Sequence, residues 1–111
     1  MSWMLIENIK DNDKIFKGAC IRFYNTAKSI TEHRALPCGE DDPIDYIISA
    51  IYNNSEYYQL TCLTQGEGGN ITCVLKRENG SYFVTGKEIK RMLQTDLYKV
   101  LIRKEPEIII N

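Results

Sequence analysis

Between Glu56 and Val84 apolar residues recur at every second position, and two turn signals interrupt the alternation. This stretch constrains the fold more tightly than any other. "YYQLTCLT" and "ITCVLKR" flank the glycine-rich "QGEGGN", while "LKRE" and "SYFV" flank Asn79-Gly80, the preferred pair for a two-residue type I′ turn. A first hairpin centred between Glu67 and Gly68 pairs Leu60 with Leu75 and Cys62 with Cys73. A second, centred on Asn79-Gly80, pairs Leu75 with Val84. Leu60, Leu75 and Val84 then form one row across a three-stranded antiparallel meander, so turn chemistry and alternation predict the same register.

The flanking segments follow other periods. Residues 14–34 place Phe16, Ala19, Cys20, Phe23, Ala27 and Ile30 at helical spacing after Asp13, a cap residue, and Pro37 predicts the stop. Asp42, Pro43 and Asp45 read as a cap, a first-turn proline and an acid facing the helix dipole. Ile44, Ile47, Ile48 and Ile51 supply the apolar stripe of that second helix. Thr85-Gly86-Lys87-Glu88 matches a capping box ahead of Ile89, Met92 and Leu93. Tyr98, Val100 and Ile102 alternate on one side of a further strand, and a strand, helix and strand with short links predict a parallel crossover. The expected class is α+β: two N-terminal helices, a three-stranded antiparallel meander, a short helix and a further strand, giving a mixed sheet packed on helices. With 111 residues the chain fits one domain, 1–111.

The first residues have no basic lead and only a four-residue apolar run, Trp3 to Ile6, which predicts neither a signal peptide nor a membrane span. A cytoplasmic protein is expected, with Cys20, Cys38, Cys62 and Cys73 as reduced thiols. Charge is uneven. From Ala35 to Leu75 there is no Lys or Arg, while Glu40, Asp41, Asp42, Asp45, Glu56 and Glu67 supply six acids; from Lys76 to Lys104 bases outnumber acids.

Catalytic patterns find little support. The one histidine, His33, stands five residues before Cys38, which makes a thiol dyad conceivable, but His33 near a helix end is better explained by solvent or the terminal carbonyls. Zinc-ligand spacing is absent, "DNDKIFKG" lacks the fifth and twelfth ligands of a calcium loop, and two of the carboxylates that could hold magnesium are already assigned to a helix start. Neither "QGEGGN" nor "TGKE" completes a P-loop. The reading is a non-enzymatic protein without cofactor or metal. Lys87, Lys90 and Arg91 on the third helix, with Lys76, Lys99, Arg103 and Lys104, support a second reading as a nucleic-acid-binding regulator; a net charge of −1 argues against it.

The acidic middle remains. Glu40 and Asp41 precede the expected cap, Glu67 stands in the glycine loop, and Glu56, Tyr57 and Tyr58 begin a strand, so carboxylates interleave with tyrosines if these segments meet. Such a surface suits a cationic protein, charge setting the encounter and aromatic groups the contact energy. A compact α+β chain carrying "GEDDPID", Glu56-Tyr57-Tyr58 and "GEGG" resembles bacterial immunity proteins that neutralise basic nuclease toxins, including those of contact-dependent growth inhibition. The resemblance implies a monomeric or weakly dimeric inhibitor that binds a cognate toxin, neither membrane nor nucleic acid, and engages it through Glu40, Asp41, Asp45 and Glu67 with Tyr57 as an aromatic anchor.

Overall fold

The structure, a computed structural model, describes residues 3–36, 42–63 and 73–104. Its centre is a six-stranded, wholly antiparallel sheet curled into a half-barrel. The strands are β1 (Met4–Leu5), β3 (Cys20–Asn25), β4 (Ile44–Ala50), β5 (Tyr57–Cys62), β6 (Val74–Lys76) and β8 (Tyr98–Arg103), in the spatial order β1-β8-β3-β4-β5-β6. A separate pair joins β2 (Lys14–Phe16) to β7 (Phe83–Thr85). Two short helices complete the described chain, α1 (Ala27–Thr31) and α2 (Gly86–Leu93).

The two expected N-terminal helices are therefore corrected to strands. In β3, Ile21 and Phe23 enter the core while Arg22 and Tyr24 face away, a period of two. In β4 the buried set is Ile44, Tyr46 and Ile48, so the isoleucine stripe that fits a helix is half of a strand pattern completed by tyrosine. β-Branched and aromatic side chains favour the pleated surface over a helix, where their first torsion is restricted. Asp42-Pro43 leads directly into β4, so neither Asp42 nor Asp45 begins a helix. Gly18, at φ 96°, donates to Ile48 O (2.8 Å), and Ile48 N donates to Ala19 O (2.9 Å), so two residues oppose one. This glycine bulge bends the chain at the head of β3 and lets β2 leave for β7.

The meander is corrected too. β5 and β6 do pair, but Leu75 lies opposite Tyr58, two residues from the expected Leu60. An even offset keeps every side chain on its predicted face, so Leu60, Leu75 and Val84 are all buried. Cys62 lies opposite Tyr46 of β4 in the register, and Cys62 and Cys73 are both partly buried against the core. Asn79 and Gly80 adopt the positive φ values their sequence predicts, 49° and 72°, yet they lie in a 3-10 turn and close no ladder between β6 and β7. β7 pairs with β2 instead, Val84 opposite Ile15. The expected parallel crossover is replaced by antiparallel pairing of β8 with β3 and β1.

Helix α2 forms as read. Thr85 Oγ1 accepts from Glu88 N (3.2 Å), and Ile89 and Leu93 are buried. The Glu88 carboxylate does not return to the cap; it accepts from Lys76 N at the outer edge of β6 (2.8 Å). One hydrophobic cluster links this helix, the small sheet and the inner face of the large one.

Candidate partner-binding surface

Helix α2, the 3-10 turn at Ile6–Asn8 and the β2–β7 pair place Ile89, Leu93, Ile6, Ile15 and Val84 in the core, on the inner side of the six-stranded sheet. Among the described residues no helix covers the opposite face. An antiparallel sheet with one wet face ordinarily alternates apolar inward and polar outward. Here the register puts Leu5 beside Leu101, Ile47 beside Cys20 and Val74 beside Gln59, all outward. Val74 is 40% exposed and the other three aliphatic side chains are half-buried.

Trp3 and two arginines stand on this aliphatic ground. Trp3 precedes β1, and its ring lies 4.2 Å from the Arg22 guanidinium and 5.2 Å from that of Arg103. Guanidinium over indole is the strongest of the common cation–π pairings. Arg22 also forks onto Asp45, Nε to Oδ1 at 2.8 Å and Nη2 to Oδ2 at 2.9 Å, across the β3–β4 pair. That bidentate bond holds the Arg22 charge more firmly than in water, with the Tyr24 hydroxyl adding to the effect. Beyond it, Lys99 Nζ lies 5.9 Å from the Tyr24 ring. The array needs strands to set it up: Arg22 and Tyr24 alternate with Ile21 and Phe23, and Lys99, Leu101 and Arg103 with Val100 and Ile102.

Of the residues expected to contact a partner, Asp45 and Tyr57 lie on this face; Glu40, Asp41 and Glu67 lie outside the described residues. Asp45 and Tyr57 are at opposite ends of the β4–β5 pair. Since Tyr58 is opposite Ala50, the offset from Asp45 is six positions, about 20 Å at the rise of a strand. Carboxylate and tyrosine do not meet, but an interface of ordinary size, about 800 Å² per partner, covers both. Asp45 is engaged by Arg22, and Lys99 and Lys76 stand exposed on the same face.

The basic residues of the second reading are less available than the sequence implies. Lys90 donates to Ile9 O (2.9 Å) and pairs with Asp11 (2.5 Å), and Arg91 forks onto Glu88 (2.9 and 3.1 Å). Lys87 is exposed and borders a cleft of about 240 Å³ with Lys76, Arg77, Glu78, Thr85 and Arg91. The positive end of α2 is already occupied, since Gly86 N and Lys87 N donate to Asp13 O and Asp11 O. His33 is exposed at φ 57° just past α1, and Cys38 lies outside the described residues. Burial, with Glu88 nearby, pushes the Cys73 thiol above its ordinary value, the opposite of an activated nucleophile.

The sequence reading passed over Trp3, Arg22 and Tyr24, and it placed Arg103 only in the basic patch of the second reading. The usable signal was the alternation in "CIRFYN" and "YKVLIR", which predicts a face carrying Arg22, Tyr24, Lys99 and Arg103 once both segments are read as strands. Comparisons with protein-family models, curated proteins and solved structures return no match. No described helix is long and apolar enough to cross a membrane.

Proposed function

We propose that this protein is a non-catalytic, protein-binding inhibitor of the immunity type, which occupies the nucleic-acid site of a cognate nuclease toxin. The observation that carries the reading is the outer face of the six-stranded sheet, where Trp3, Tyr24, Tyr57 and two arginines stand among aliphatic residues and, among the described residues, no helix lies over them. Tryptophan, tyrosine and arginine are the side chains that dominate protein interfaces, and contiguous exposed apolar area on a sheet face marks a docking surface. Glu40, Asp41 and Glu67 add the acidic groups that substitute for phosphate, with Tyr57 as the aromatic anchor and Asp45 orienting Arg22 from beneath.

The test is co-purification from the source cell followed by titration of the captured partner. A partner with nuclease activity should lose that activity at one inhibitor per toxin, and Glu40→Lys with Asp41→Lys should slow association about tenfold, an effect that raised salt reproduces. A partner whose activity survives a stoichiometric excess of the protein contradicts the reading.

A further inference from the structure

Arg77 is a buried cation, 8% exposed, whose bonds run to the carbonyl oxygens of Asn54, Gly80 and Ser81, with the Tyr58 and Tyr82 rings against its guanidinium. Among the described residues no carboxylate is paired with it. Carbonyl groups and ring faces satisfy its geometry, but a buried charge is ordinarily compensated by an opposite one. We infer that the compensating group is the phosphate of a nucleoside monophosphate, bound in two adjoining clefts that Arg77 borders. The inference goes beyond the inhibitor reading and does not rest on it.

The first cleft, about 240 Å³, is bordered by Lys76, Arg77, Glu78, Lys87, Glu88 and Arg91. Glu88 and Arg91 satisfy each other through their fork, and Glu88 also accepts from Lys76 N. That leaves Lys76, Arg77 and Lys87 against Glu78, an excess of two positive charges, and both lysines are exposed. Asp11, which Lys87 influences from outside the cleft, is already paired with Lys90. A phosphate monoester carries about 1.5 to 2 negative charges near neutral pH, which matches the excess; a carboxylate supplies half of it. The cleft is smaller than the roughly 300 Å³ at which ligand pockets begin, so it takes a group and not a whole molecule.

The second cleft takes the rest of the ligand. It holds about 390 Å³, shares Lys76, Arg77 and Asn79 with the first, and adds Ser55 and Glu56. Amide, hydroxyl and carboxylate groups bond base edges and ribose hydroxyls, while the Glu56 charge repels a further phosphate. The two clefts together fit a ligand with one doubly charged end and one neutral, hydrogen-bonding end. Inorganic phosphate leaves the second cleft unused, and a di- or triphosphate brings charge against Glu56.

Calorimetric titration at low salt tests this with adenosine and uridine 5′-monophosphates, the two free nucleosides and inorganic phosphate. At least one of the monophosphates should bind at one site per chain, about tenfold more tightly than its nucleoside or inorganic phosphate does. Lys76→Gln and Lys87→Gln, both at exposed positions, should each weaken that binding about tenfold and leave the unfolding midpoint unchanged, since each removes a charged donor and no core contact. Lys99→Gln, on β8, should leave the affinity as it is. Absence of saturable binding by either monophosphate overturns the inference. So does inorganic phosphate binding as tightly as the nucleotide, which leaves an adventitious ion only, and so does a loss at Lys99→Gln equal to that at Lys87→Gln, which shows attraction to net charge and no site. Neutralisation of a captured toxin is a separate measurement, so either reading can fail while the other stands.

Discussion

Gly86→Ala is expected to lower stability by about 3 kcal/mol, although alanine is the better helix former. A Cβ at this position would stand 2.0 Å from Lys10 O and 3.0 Å from Lys10 C, both backbone atoms. The reason lies in how the chain from Lys10 to Asp13 docks on α2. Asp13 N donates to Lys10 O (3.1 Å), Lys10 N returns a bond to the Asp13 carboxylate (3.1 Å), and Gly86 N donates to Asp13 O (2.9 Å). The Lys10 N–H, with Lys104 adding to it, holds the Asp13 carboxyl below its ordinary value, so this turn is tied down from several directions. A methyl group has to push the whole turn away from α2 and break the bonds that hold β2 to β7. Thermal unfolding should show a midpoint lower by about 10 °C, while Lys87→Ala, one residue on and exposed, should change stability by less than about 0.5 kcal/mol. A Gly86→Ala midpoint within two degrees of the parent would mean the close approach is not there.

Arg77→Met should cost a similar amount, about 3 kcal/mol, through lost hydrogen bonds. The side chain is 8% exposed. Its Nε donates to Ser81 O (2.6 Å), its Nη1 to Asn54 O (3.4 Å) and its Nη2 to Gly80 O (3.4 Å), and its guanidinium lies 5.0 Å and 5.5 Å from the Tyr58 and Tyr82 rings. One cation thus fastens the turn after β4 to the turn before β7, where no strand pairing does so. Arg77→Lys keeps the charge and loses the fork, so it should recover only a minor part of the stability. Urea unfolding of both variants decides the matter: near-parental stability for Arg77→Lys would show that charge alone suffices and that the carbonyl bonds are incidental.

These two sites also explain what could and could not be read in advance. Period-two alternation in residues 98–103 and the Thr85 cap were legible because each is a local pattern with one solution. The positive φ at Asn79 and Gly80 was legible for the same reason, yet the pairing it implied was not. Arg77, Glu88 and Tyr58 hold β6 and β7 apart through bonds to Ser81 O, Lys76 N and Tyr82 O, and no turn dipeptide encodes those distant partners. The isoleucines at 44, 47, 48 and 51 misled because a run this rich in isoleucine satisfies both periods; only Tyr46, buried between Ile44 and Ile48, separates them. The make-up of the outer face was hidden by the same error. Read as a helix, residues 14–34 scatter Arg22 and Tyr24 around a cylinder; read as a strand, they put both on the face with Trp3 and Arg103.

The outer face of the sheet is the recognition surface we propose, and Trp3 sits on it between two arginines. Titrating the co-purified partner into the protein while recording Trp3 emission and the heat of binding together tests this most directly. Emission should change with the same saturation point as the heat, at one partner per chain, and Lys99→Glu should move both curves to weaker binding. A full calorimetric titration with Trp3 emission unchanged from start to end would place the partner elsewhere on the molecule.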